Sequence, residues 1–245
     1  MSKDASPQTI YLKDYQPPAY TTRETALTFD IRDGVTEVPS RLKVARRPDA
    51  SADADLVLDG RDLELVEVAV DDTVLGSNEY RADGESLTVF DVPASAEVRI
   101  VTRIRPEENT ALEGLYKSGG MYCTQCEAEG FRRITYYQDR PDVLSTFTTT
   151  IVADGDRYPD LLSNGNLVAD EVADDGRRRV TWNDPFPKPS YLFALVAGRL
   201  ALLEDEFETR SGRKVALRIY SEPHNIDQCG YAMDVLKRSM RWDEE

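Results

Sequence analysis

From Leu27 onward, apolar residues fall on every second position of the chain. Leu27, Phe29 and Ile31 alternate with polar neighbours, as do Leu42 with Val44 and Leu56 with Leu58. Leu63-Glu64-Leu65 leads into Val66, Val68 and Val70, and Leu87 with Val89 and Val98 with Ile100 follow. A period of two turns one side of each strand to a core and the other to water. Asp33-Gly34, Asp59-Gly60 and Asp83-Gly84 are turn signals that separate these runs. Short strands spaced about ten residues apart predict a β-sandwich. Before them, residues 1–20 are polar and carry Pro17-Pro18, which predicts an extended lead-in rather than a packed element.

The β pattern continues through the middle of the chain. Phe131 to Tyr137 and Leu144 to Val152 read as strands, the second containing the β-branched run Thr148-Thr149-Thr150-Ile151-Val152. Ser163-Asn164-Gly165-Asn166 and Gly176 mark tight turns. Trp182 to Pro189 holds three prolines and predicts an ordered loop, because proline supplies no ladder donor. Tyr191 to Val196 is a continuous apolar run that suits a buried strand. A boundary near Gly198-Arg199 closes a first unit, residues 1–199, and opens a second, residues 200–245. There, Phe207 to Thr209 and Val215 to Tyr220 flank Ser211-Gly212 as a hairpin. The period then changes. Between Ile226 and Glu245, Ala232, Val235, Leu236, Ser239 and Met240 recur at helical spacing, so that face packs while Lys237, Arg238 and Arg241 meet water. Trp242-Asp243-Glu244-Glu245 brings no Gly, Asn or Pro stop signal, and the chain is expected to break off within a helix.

Charge narrows the choice of partner. With 45 acidic residues against 30 basic ones, the net charge is −15. That excludes nucleic-acid binding, which needs Lys and Arg to neutralise phosphates, and fits poorly with an anionic membrane surface. The field attracts a cationic ligand, such as the free amino end of a peptide, although acidity also serves solubility alone. The start, Met1-Ser2-Lys3-Asp4-Ala5-Ser6-Pro7, has no apolar run, and no stretch of about 18 apolar residues occurs. The three cysteines, an odd number, suit a reducing compartment. A cytoplasmic protein is expected.

Candidate chemistry concentrates in Cys123-Thr124-Gln125-Cys126-Glu127-Ala128-Glu129-Gly130-Phe131-Arg132. Cys123 and Cys126 could supply zinc thiolates completed by His224 and Cys229, although His224 lies about a hundred residues away and is the one histidine in the chain. A thioredoxin-like redox pair needs a strand-to-helix turn, and the surroundings here are β. The plain reading of the two cysteines is small, partly buried side chains. The polar residues suggest something else. Gln125 and Glu127 are two apart, so in an extended segment both point to one side. An amide oxygen beside a carboxylate accepts the N–H donors of an ammonium group. At about 4 Å and an effective dielectric near 20, the charge pair gains roughly 4 kcal/mol before desolvation. An ordinary solvated strand face would show the same spacing.

The surrounding blocks add a resemblance. Thr110 to Tyr116, Cys123 to Arg132, Ile134 to Val143, Leu162 to Asn166, Trp182 to Pro189 and Tyr191 to Gly198 resemble the N-terminal region of the gluzincin zinc aminopeptidases of the aminopeptidase N type. The likeness extends through Ser211-Gly212-Arg213 to Glu245, and before about residue 105 it is mainly one of pattern. It implies a mainly β fold: an N-terminal β-sandwich, 1–199, followed by the truncated start of an α/β thermolysin-like catalytic domain, 200–245. It implies that Gln125 and Glu127 bind the substrate's α-amino group. The complete enzyme would be a hydrolase that removes N-terminal residues from peptides, its zinc activating water. The zinc ligands and general base belong to a Gly-Ala-Met-Glu-Asn strand and a His-Glu-x-x-His helix. Neither motif occurs here, so no catalytic or metal-binding residue is assigned and the chain alone is expected to be inactive. Peptides with a free N-terminus are the implied partners, and a monomer is expected. A non-catalytic β-sandwich binding module is the alternative from another class.

Overall fold

The computed structural model describes residue 9 and residues 11–245. Of the expected lead-in, residues 1–8 and 10 lie outside the described residues, and Tyr20 already belongs to the first strand. The strands are β1 (Tyr20–Arg32), β2 (Val35–Arg46), β3 (Leu56–Asp59), β4 (Glu64–Val70), β5 (Thr73–Val74) and β6 (Tyr80–Ala82). Next come β7 (Ser86–Val89), β8 (Ser95–Ile104), β9 (Gly114–Ser118), β10 (Met121–Gln125), β11 (Ser145–Ala153) and β12 (Asp160–Ser163). The last are β13 (Asn166–Val172), β14 (Arg178–Lys188), β15 (Leu195–Gly198), β16 (Ala201–Glu208) and β17 (Lys214–Ser221), before the helix α1 (Gly230–Asp243).

One large sheet has the order β13-β14-β11-β1-β2-β8-β4-β5 and is antiparallel except where β1 meets β11. Two smaller sheets, β12-β15-β10-β9 and β3-β7-β6, complete a mainly β architecture. All three contribute to one core. Phe29, Leu42 and Ile100 from the large sheet share it with Leu56 and Leu87 from the three-stranded sheet and with Tyr122 and Leu195 from the four-stranded one. The alternation in the sequence therefore marks the inward faces, as a sandwich requires. Its one lapse, exposed Val66, follows from a β-bulge between Leu65 and Glu67 that turns the intervening side chain outward.

Three stretches of the sandwich need correction. Phe131 to Tyr137 is not a strand: Phe131–Arg133 is a 3-10 turn, and the segment touches a ladder only where Tyr137 bridges Asp59. Asp59-Gly60 does separate two runs, since Asp59 ends β3 and β4 begins at Glu64, and a side chain at Gly60 would lie 2.2 Å from the Tyr136 ring. Trp182 to Pro189 is not a loop but falls mostly in β14. Pairing with β13 ends at Asn183, and pairing with β11 is irregular opposite residues 185–187, so Pro185 and Pro187 occupy a stretch that needs no donor from them. Tyr191 to Val196 is split by a 3-10 turn, Ser190–Leu192, before β15 begins at Leu195.

Beyond Gly198 the hairpin β16–β17 and α1 form a small cluster of their own around Phe207, Leu217 and Met233. The packed face of α1 differs from the expected one. Met233 and Met240 pack, Ala232, Leu236 and Ser239 are exposed, and Lys237 lies along the packed side with its Nζ 2.5 Å from Asp205. Lys offers an aliphatic stem to the hairpin and a charge to its rim, which periodicity in apolar residues overlooks.

Candidate functional site

Gln125 is the last residue of β10, and the chain then leaves the sheet. The return is made by a turn in which the Gly130 N–H donates to the Cys126 carbonyl at 2.9 Å. Gly130 is there because nothing larger fits: a Cβ would sit 2.3 Å from the Gln125 carbonyl oxygen. Cys126 and Phe131 are buried on either side, while Glu127, Ala128 and Glu129 are exposed. The peptide bond between Glu127 and Ala128 is cis.

Gln125 and Glu127 are therefore close, but not by the extended geometry that the spacing suggested. The Gln125 Nε2 donates to the Glu127 carbonyl at 3.1 Å across the start of the turn. This leaves the amide oxygen of Gln125 as an acceptor with no hydrogen bond among the described residues. The Glu127 carboxylate likewise has no hydrogen bond or ion pair among the described residues. Glu127, Ala128 and Glu129 line a cavity of about 770 Å³, together with Asp55, Asp59, Asp139, Arg132 and Tyr191; Gln125 stands outside that lining.

Polar bonds fix the wall behind the turn. Asp139, 3% exposed, accepts through one oxygen from the backbone N–H and the Nε of Arg132, both at 3.1 Å. Its other oxygen accepts from the Ser190 hydroxyl at 2.5 Å. The Asp139 N–H donates to Asp59 Oδ2 at 3.0 Å, and Arg132 Nη1 lies 3.4 Å from Glu129. Strand β3 alternates accordingly, with Leu56 and Leu58 in the core and Val57 and Asp59 on the cavity, where Asp55 just before the strand joins them.

Burial raises the Asp59 carboxyl above its ordinary value; Arg132 and the Asp139 N–H oppose the shift, and the charges of Asp139 and Glu129 add to it. A carboxyl that holds its proton more tightly when folded stabilises the fold at low pH and loses that contribution as pH rises through its folded value. Asp59→Asn keeps an acceptor for the Asp139 N–H and removes the charge. It is expected to raise the melting temperature at pH 7, with the gain shrinking towards pH 4. Thermal melts of both proteins across that range check the sign.

The cysteines form no metal or redox centre with His224. All three thiols are free, His224 is largely exposed, and its nearest charge is Glu222 at 3.9 Å. Burial pushes the Cys126 thiol far up, away from thiolate chemistry. Among the described residues no three His, Cys, Asp or Glu side chains are arranged to hold a metal ion, so a zinc ion does not fit those residues. Asp59, Asp139 and Ser190 escaped the sequence reading: Asp59 looked like a turn residue, Asp139 drew attention only as a member of the block Ile134 to Val143, and Ser190 falls between two blocks.

Comparison with known proteins places these features. Residues 16–192 match the family described as Peptidase M1 N-terminal domain. Aminopeptidase N of Caulobacter vibrioides is 50% identical over 240 residues, covering 98% of this chain and 28% of that protein. Aminopeptidase N of Escherichia coli is 51% identical over 239 residues, covering 98% and 27%. The chain thus spans little more than a quarter of the length of these relatives. Among solved structures, a Legionella pneumophila aminopeptidase A in complex with aspartic acid superposes with a TM-score of 0.89 at 38% identity, covering 95% of this chain and 28% of that one. An M1 zinc metallopeptidase of Deinococcus radiodurans shares the fold at a TM-score of 0.70 and 16% identity, covering 84% and 48%.

Proposed function

This chain belongs to the peptidase M1 N-terminal domain family, and from that premise we propose that it is the amine-binding part of a zinc-dependent aminopeptidase of the aminopeptidase N type. Such an enzyme removes the first residue of peptides. Gln125 and Glu127 would hold the substrate's α-ammonium group, the amide oxygen and the carboxylate each accepting an N–H. The observation that carries the reading is the Glu127 carboxylate, which lines a cavity without a partner among the described residues while the neighbouring amide is turned by its bond to the Glu127 carbonyl. An acidic chain and five acidic side chains around that cavity favour a cationic ligand. The ligands for zinc would come from elsewhere in a longer protein, and no catalytic step is assigned to residues of this chain.

Two units suit this role: 1–199 as the sandwich carrying the amine-binding turn, and 200–245 as the beginning of the catalytic domain. The division is supported by the separate core of Phe207, Leu217 and Met233. Free cysteines support a cytoplasmic location, and no described helix is long and apolar enough to cross a membrane. We place the enzyme in the cytoplasm as a monomer.

Capping the substrate tests the assignment. In the full-length enzyme, alanyl p-nitroanilide is expected to be hydrolysed with a kcat/KM at least about tenfold above that of its N-acetyl derivative, since losing one charge-assisted contact costs roughly 1.5–3 kcal/mol. Equal hydrolysis of the two would refute recognition of a free amine.

A further inference from the structure

We propose that Asp139 is a positioning residue for amine recognition: it fixes the turn that carries Glu127, and this inference rests on the reading of Gln125 and Glu127 given above. The Glu127 side chain has no tether among the described residues, and it stands on an exposed stretch of three residues between Cys126 and Gly130. A carboxylate that must meet an ammonium within about 0.5 Å needs a rigid support. Phe131 supplies burial at the far side of the turn, but an aromatic ring in a cluster leaves rotation about the chain less well defined than directed bonds do.

Those bonds converge on Asp139. One carboxylate oxygen takes both the backbone N–H and the Nε of Arg132, and the Asp139 carbonyl takes Arg132 Nη2 at 2.9 Å. The second oxygen is bound by Ser190, and the Asp139 N–H by Asp59. Every polar group of this residue is thus engaged, and each partner sits on a different part of the site wall: the turn, the segment before β15, and β3. Arg132 continues the chain of contacts to Glu129, two residues from Glu127. If stability alone were at stake, a well-packed apolar pair would serve as well, because desolvating a buried ion pair cancels much of its attraction. What the ion pair adds is direction. It sets the angle at which the 3-10 turn Phe131–Arg133 leaves the core, and so the place of the three exposed residues before it.

The test uses two inhibitors of the full-length enzyme, L-leucine and 4-methylpentanoate, which is leucine without its amino group. The ratio of their inhibition constants reports amine recognition and cancels effects on the rest of the site. Asp139→Asn keeps the shape and an acceptor for Arg132; the Ser190 hydroxyl can turn to accept from the new amide. The expected result is a ratio reduced at least about fivefold, roughly 1 kcal/mol, with 4-methylpentanoate binding unchanged and a cooperative thermal transition retained. Ser190→Ala, which removes one bond to the same carboxylate, is expected to reduce the ratio about twofold. Glu127→Ala is measured in parallel. If Glu127→Ala collapses the ratio while Asp139→Asn and Ser190→Ala leave it unchanged, positioning by Asp139 is overturned and the amine-binding reading stands. If Glu127→Ala itself leaves the ratio unchanged, the amine-binding reading fails and the inference falls with it. Should Asp139→Asn not fold, the Ser190→Ala ratio decides by itself.

Discussion

Glu127→Ala in the full-length enzyme is expected to lower kcat/KM by at least about 100-fold, equivalent to roughly 2.7 kcal/mol of lost transition-state stabilisation. The size follows from what the carboxylate contributes. It is exposed on a turn with no partner among the described residues, so in the free protein it costs little to leave it without an ion. In the proposed complex an ammonium beside this carboxylate would interact at an effective dielectric well below that of water, where a contact at about 4 Å is worth roughly 4 kcal/mol before desolvation. Gln125 would contribute less, because a neutral amide oxygen accepts a single N–H without a charge. Glu127→Gln should therefore recover little of the lost activity, while a merely steric role would be rescued by it. Steady-state kinetics on alanyl p-nitroanilide give the answer. A kcat/KM within threefold of the parent protein removes Glu127 from this role.

How much of this was legible beforehand depends on the physics of each element. The sandwich was legible because burial on one face of a strand writes itself into alternate positions: Leu27, Phe29 and Ile31 are all in the core. Val66 broke the rule because a bulge inserts a residue without any mark in composition. The prolines after Trp182 misled for a different reason. Proline excludes a donor and not a strand, and whether a donor is needed depends on the neighbour, which here stops at Asn183. In the candidate site, spacing brought Gln125 and Glu127 together by the wrong geometry; the turn that does so is imposed by a glycine with no space for a side chain and by a buried aspartate fourteen residues from Gln125 in sequence. The bonds of that aspartate to Arg132, Ser190 and Asp59 are polar, two of them between residues 51 and 80 apart, and neither periodicity nor propensity records them. The family likeness pointed to Gln125 and Glu127 as candidates; it did not reveal the Arg132, Asp139 and Ser190 bonds around the turn.

Phe131→Ala is expected to destabilise the protein by about 3–5 kcal/mol, the usual cost of emptying a buried aromatic position. Phe131 has no exposed surface, and its ring centroid lies 4.9 Å from Tyr137, 5.3 Å from Phe193 and 6.0 Å from Phe147, mostly edge to face. These partners come from the bridge to β3, the segment before β15 and strand β11, so removing the ring opens a hole where the sheets meet and deprives three aromatic neighbours of their contact at once. The neighbouring ion pair cannot compensate. Arg132 and Asp139 hold direction, but their attraction is offset by desolvation, whereas the ring contributes surface removed from water without any such penalty. For a chain of this size the loss corresponds to a melting temperature lower by roughly 6–20 °C. Because the hairpin and α1 have a core of their own, the transition should be followed by a probe in the sandwich. Trp182, packed against the large core, serves, while Trp242, 76% exposed, reports little of it. Urea unfolding monitored through Trp182 fluorescence should show the full loss. A change below about 1 kcal/mol would mean that the aromatic cluster can close over the hole, and that the turn carrying Glu127 is anchored by its polar bonds alone.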